Sequence, residues 1–107
     1  MDAALKAIAE PRRRQILRLV WDAEASSGEI AAHFDITGPA VSQHIKVLRE
    51  AGLVNERREG TRHVFSANKR ALLELREFLS WMWDGGLIDL KQAAEEEAGG
   101  KGGRGRR

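Results

Sequence analysis

Residues 26–54 read SSGEIAAHFDITGPAVSQHIKVLREAGLV, and this stretch decides the fold. Ser26 stands three residues before Glu29, the spacing of a capping box, in which each residue's side chain satisfies a backbone N–H of the other. With Ile30, Ala31 and Phe34 following, the pattern predicts a two-turn helix that ends near Asp35. Thr37 can cap a second helix, and Pro39 fits its first turn, where a missing N–H costs nothing. Val41, Ile45 and Leu48 then fall on one stripe until Gly52 stops the helix. Two helices joined by a three-residue turn are therefore expected, the second running from Gly38 to Ala51.

Beyond this pair the periodicity changes. Residues 53–66, LVNERREGTRHVFS, place strand formers on both sides of Glu59 and Gly60. That pattern predicts a β-hairpin with strands near Leu53 to Arg58 and Thr61 to Ser66. After Asn68 the helical period returns in Leu72, Leu75, Phe78, Leu79 and Met82. Gly85 and Gly86 interrupt this last helix at about 1 kcal/mol each relative to alanine, so a kink or break is expected there, followed by an amphipathic segment through Leu87, Leu90 and Ala94.

On the N-terminal side, Leu5, Ile8 and Ala9 suggest a short helix. Pro11 opens another, with Ile16, Leu17, Leu19 and Val20 turned inward and Trp21 closing it. Glu10 precedes Pro11 where Asp would cap better, a small expected loss. The expected class is mainly α with a small β-hairpin, in the order ααααβ-βα. Residues 1–98 form one domain on this reading. The tail GGKGGRGRR, residues 99–107, supplies nothing to bury and is expected to be disordered, either solvating the chain or touching phosphate loosely.

A chain of 107 residues can bury one core without staples. With no cysteine it can form neither disulfides nor thiolate metal sites, which fits a reducing compartment. No apolar run approaches the ~18 residues that span a bilayer, and no secretory leader opens the sequence, so a cytoplasmic protein with no membrane partner is expected. The net charge of +2 is unevenly spread. Between residues 36 and 70, Lys46, Arg49, Arg57, Arg58, Arg62, Lys69 and Arg70 face only Glu50, Glu56 and Glu59, whereas residues 71–98 are acidic. A basic centre of this kind either neutralises phosphate or is merely a solvated face.

An exposed helix followed directly by a basic hairpin has a physical use. A helix fits the major groove of B-DNA, and the hairpin can reach the flanking backbone or minor groove. Burying Val41, Ile45 and Leu48 turns Pro39, Ser42, Gln43 and Lys46 outward, with Thr37 and Gly38 at the free N-terminal end. Gln43 can make two hydrogen bonds to adenine, Ser42 can meet a base edge or a phosphate, and Lys46 can meet guanine or the backbone. His44 belongs to the same helix and either packs behind it or bonds a phosphate. Arg57, Arg58 and Arg62 flank the hairpin turn, where alternation sends neighbours to opposite faces, so at least one should reach DNA. Charged residues also keep a free sheet edge from pairing with other chains.

His33, His44 and His63 lie on three different predicted elements, so no metal site is expected. Core or subunit packing is the expected use of Trp21, Trp81 and Trp83, with a small-molecule pocket as the alternative. There is no phosphate loop, nucleophile elbow or other catalytic set, and neither an enzyme nor a cofactor is expected.

The segments LKAIAEPRRRQILRLV, GEIAAHFDITGPAVSQHIKVLREAGLV and ERREGTRHVFS resemble, in order and spacing, the winged helix-turn-helix repressors of the ArsR family, over roughly residues 3–97. The likeness is to the branch that lacks metal-binding cysteines. It implies a homodimer, joined through the first and last helices, that represses transcription from a near-palindromic operator. By position, Ser42 and Gln43 match the family's base-contacting pair, and Arg58 and Arg62 match its wing. The helix equivalent to Gly28 to Phe34 reads GEIAAHF without cysteine, and the last helix has no histidine, so metal sensing is not implied and the inducer is open. Leu5, Ile8, Leu72, Leu75, Leu79 and Met82 offer more apolar surface than so small a core needs, which independently suggests a subunit interface. A non-specific architectural DNA binder and a protein-interaction module on the same fold are the alternatives.

Overall fold

The helix starts are fixed by short-range chemistry. In the computed structural model, which describes residues 1–84, Glu10 caps the second helix by accepting the Arg12 N–H, with Pro11 just inside. The expected loss at Glu10 is thus offset. That N–H is also the main reason its carboxyl titrates below the ordinary glutamate value. Ser26 and Glu29 form the complete capping box, and the Thr37 hydroxyl accepts the Ala40 N–H at 3.2 Å. The elements are α1 (Asp2–Ile8), α2 (Pro11–Leu19), β1 (Ala25–Ser26), α3 (Ser27–Ala31), α4 (Gly38–Glu50), β2 (Val54–Glu59), β3 (Arg62–Ala67) and α5 (Lys69–Trp83). The chain divides into a unit of Met1–Leu75 and a second beginning at Arg76, so α5 starts in one and ends in the other.

Helix ends are equally explicit. Two arginines of α2 take the last carbonyls of α1: Arg13 donates to Lys6 O at 3.1 Å and Ala7 O at 2.7 Å, and Arg14 donates to Ile8 O at 2.8 Å. Cations belong at this negative end of a helix. Helix α4 closes in a Schellman motif, with Leu53 N–H donating to Leu48 O at 2.9 Å and Gly52 N–H to Arg49 O at 3.0 Å. Gly52 has a φ of 78° there, a conformation that costs other residues a Cβ clash.

The core of the first unit joins all four preceding helices to the sheet. Ile16, Val20, Ile30, Val41, Leu48 and Leu53 are its largest fully buried side chains. The sheet is antiparallel in the order β1-β3-β2, with Arg57 opposite Val64 and Arg58 opposite His63. The hairpin turn is Gly60-Thr61 rather than Glu59-Gly60, so the strands start one residue later than expected. Gly60, at φ 64°, meets the positive-φ requirement of a two-residue hairpin loop.

Other expectations are corrected. Helix α3 ends at Ala31 and not near Asp35, because His33 and Phe34 bond back to Ile30 and Ala31 in tighter turns. Helix α2 ends at Leu19, short of Trp21. Trp21, Trp81 and Trp83 are all exposed, at 38%, 50% and 71%, so none of them fills a core. Trp21 instead lies under the Lys69 ammonium, 5.1 Å from its ring centre, a cation–π contact. Leu75, expected at a subunit interface, is only 4% exposed within the single chain and has no surface left to offer one. The expected break at Gly85-Gly86, the segment through Leu87, Leu90 and Ala94, and the tail 99–107 lie outside the described residues.

Candidate nucleic-acid interface

Helix α4 is anchored by one face and free on the other. Val41, Ile45 and Leu48 are buried, while Thr37, Gly38, Pro39, Ser42, Gln43 and Lys46 are exposed. Ser42, Lys46 and Arg49 recur at i, i+4 and i+7 and so form one row along the helix. This row borders a cleft of about 360 Å³, whose other lining residues include Ser27, Ile45, Glu56, His63 and Phe65. The cleft therefore lies between α4 and the hairpin. Gln43 does not line it and projects from a neighbouring row of the same exposed side.

Among the described residues the cleft is lined by two basic side chains, Lys46 and Arg49, and one carboxylate, Glu56. Arg49 Nη1 donates to Glu56 Oε1 at 2.8 Å, and His63 Nδ1 meets the other oxygen of the same carboxylate. The Arg49 bond, reinforced by His63, holds Glu56 below its ordinary titration range. Lys46 is left as the cation without an ion-pair partner among the described residues of this wall. Arg49 was expected only as part of the basic centre and not on the exposed side of the helix, although its position seven residues after Ser42 placed it on the same row.

His44 is half-buried and turned elsewhere. Its Nδ1 lies 3.2 Å from Arg13 Nη1, and a guanidinium can only donate. In this contact Nδ1 is therefore the acceptor. Of its two expected uses, the geometry matches packing against the rest of the domain.

The hairpin arginines differ from one another. Arg57 grips Glu24 with two bonds, Nε to Oε2 at 2.9 Å and Nη2 to Oε1 at 2.6 Å, and also reaches Glu59 at 3.3 Å. Arg62 meets Glu59 at 3.3 Å and Glu29 at 3.1 Å. Arg58 is exposed and has no ion pair among the described residues.

The residues expected between subunits also divide. Leu5, Ile8, Leu72, Leu79 and Met82 are half-buried, and Ile8 and Leu72 pack partly against the core. Leu73, not singled out from the sequence, is 48% exposed. Trp21 borders a separate hollow of about 330 Å³ with Leu17, Arg18, Asp22 and Leu72.

Comparison with known proteins adds a second line of observation. The profile of the bacterial regulatory protein, arsR family, matches residues 10–56, which include α2, α3, α4 and the start of β2. Over 82 residues the chain is 34% identical to the transcriptional repressor SdpR of Bacillus subtilis, the match covering 77% of this chain and 88% of SdpR. Over 74 residues it is 40% identical to the transcriptional activator HlyU of Vibrio cholerae, covering 66% and 68% of the two chains. A crystal structure of a possible transcriptional regulator for arsenical resistance superposes with a TM-score of 0.73 at 33% identity, covering 89% of this chain and 96% of that one.

Proposed function

This chain belongs to the arsR family of bacterial regulatory proteins, and from that premise we propose that it regulates transcription by binding double-stranded DNA sequence-specifically as a homodimer. The observation that carries the reading is the exposed row of α4 beside a cleft: Ser42, Lys46 and Arg49 on the helix, with the hairpin as the opposite wall and Lys46 left without an ion-pair partner among the described residues. A helix inserted by this side into the major groove presents Ser42 and Gln43 to base edges, Lys46 to guanine or phosphate, and Thr37, Gly38 and Pro39 to the backbone near its N-terminus. The hairpin supplies phosphate contact beside it. Residues 1–98 carry this activity in the cytoplasm, and the basic tail 99–107 adds at most sequence-independent attraction.

Dimerisation uses Leu5 and Ile8 of α1 with Leu72, Leu73, Leu79 and Met82 of α5. Two-fold symmetry then sets the recognition helices about one DNA turn, ~34 Å, apart, which calls for a near-palindromic operator. Repression is the favoured direction, since the match to the repressor SdpR covers 88% of that protein. HlyU is an activator, so direction needs its own measurement.

The test begins by selecting bound fragments from genomic DNA, then titrates the best fragment and a scrambled one at the same salt concentration. Sequence-specific regulation requires the selected site to bind at least about a thousandfold more tightly. Equal affinity with a steep salt slope would mean an architectural binder, and no binding to either would mean a protein-interaction module. A reporter behind the selected site gives the direction: loss of the protein should raise its expression.

A further inference from the structure

The hairpin register sorts its three arginines between two faces, and we propose that this divides their labour: Arg58 is the hairpin's phosphate contact, while Arg57 and Arg62 are positioning residues that set the hairpin's angle to the recognition helix. The inference deepens the DNA-binding reading above and rests on it.

Side chains of directly opposed residues in an antiparallel pair share a face, and faces alternate along each strand. Val54 opposite Ala67, Glu56 opposite Phe65 and Arg58 opposite His63 therefore lie on one face. Val54, Ala67 and Phe65 belong to the core, while Glu56, His63 and Phe65 line the cleft against α4. Arg58 continues that face toward the turn, on the side from which α4 would meet DNA. Its guanidinium has no carboxylate to displace among the described residues.

Arg57 opposite Val64 and Glu59 opposite Arg62 occupy the other face. Here two guanidiniums meet three carboxylates, those of Glu24, Glu29 and Glu59, so the cluster carries no spare positive charge. Phosphate could reach Arg57 only by breaking a two-point grip on Glu24. Glu24 precedes β1 and Glu29 sits in the first turn of α3, so both ties run from the hairpin to the segment leading into α4. Glu29 is itself held in place, because its Oε1 also accepts the Ser26 N–H at 2.8 Å. The anchor for Arg62 is thus part of the helix-turn-helix unit that carries the reading face.

The salt dependence of DNA binding separates the two roles, since each phosphate contact contributes about 0.9 to the slope of log affinity against log salt. Arg58→Gln should lower that slope by about 0.9 per hairpin engaged. Arg57→Gln and Arg62→Gln should leave the slope unchanged while weakening binding severalfold. Glu24→Gln should also weaken binding, and the exchanged pair Glu24→Arg with Arg57→Glu should restore it. Equal slope losses for Arg57→Gln and Arg58→Gln, or tighter binding by Glu24→Gln, would overturn the proposal. A measurement without DNA keeps this separate from the functional reading: amide hydrogen exchange in β2 and β3 should quicken in Arg57→Gln and Arg62→Gln but not in Arg58→Gln. Should the protein bind no DNA at all, the functional reading and the role of Arg58 would fall together, and unchanged exchange would by itself remove the positioning role.

Discussion

Arg49 Nη1 stands 2.8 Å from Glu56 Oε1, and this single contact ties the last turn of the recognition helix to the first strand of the hairpin. The two walls of the cleft are thereby held at a set separation. Because His63 approaches the other oxygen of the same carboxylate, Glu56 serves both walls at once.

Acid should loosen this tie. The titration of Glu56 is lowered from 4.5, chiefly by Arg49, so its contribution to stability is complete above 4.5 and is lost as pH falls through its lower folded value. Thermal unfolding followed across that range should show a falling midpoint in the wild type and a shallower fall in Glu56→Gln. The fall should not vanish, because Glu10, Glu24 and Glu29 are lowered in the same direction. An acid profile unchanged by Glu56→Gln would mean that the contact contributes nothing.

Gln43 should decide sequence choice rather than total affinity. It is exposed on α4, and a two-point contact to adenine discriminates by about 1–3 kcal/mol. Gln43→Ala should therefore lower the ratio of operator to random binding by roughly five- to 150-fold, by the same conversion, while leaving the salt slope as it was. Competition binding against single-base operator variants checks this. An unchanged ratio would remove Gln43 from the reading face.

Gly52→Ala should destabilise the domain by about 1–2 kcal/mol, the cost of a left-handed backbone for an L side chain. Beyond its chain neighbours no atom lies within 4 Å of a Cβ added there, so the loss comes from the local backbone conformation and not from packing against the rest of the domain. Urea denaturation should show a lower midpoint at unchanged slope. Wild-type stability in the variant would mean that the end of α4 can close without the positive φ of 78°.

What could be read from the sequence was whatever neighbouring residues determine. Ser26 with Glu29, Thr37 with Ala40, and the spacing of Val41, Ile45 and Leu48 act within one or two turns, so α4 and its free side emerged correctly. Strand β1 did not, because two residues carry no period and exist as a strand only through pairing with Val64 and Phe65. Nor did the ties of Arg57 and Arg62, since Glu24 and Glu29 each lie 33 residues away in the chain. Helical spacing marked Leu75 as apolar, but spacing cannot tell a face covered by its own domain from one covered by a second copy.

Leu73 and Leu75 make that distinction measurable. They stand two residues apart on α5, one 48% exposed and the other 4%. Leu75→Ala should behave as a core truncation and lower unfolding stability by about 2–5 kcal/mol. Leu73→Glu alters a side chain that is already about half exposed, so folding should suffer far less than in Leu75→Ala at concentrations where the chain is monomeric. In a dimer formed through α5 it would instead bury an unpaired charge, and sedimentation should show the monomer persisting to much higher concentration than in the wild type. DNA binding should weaken in parallel, since two recognition helices no longer arrive together. If Leu73→Glu sedimented as the wild type does, the subunit contact would lie away from this side of α5, and the half-site spacing inferred from it would have to be drawn again.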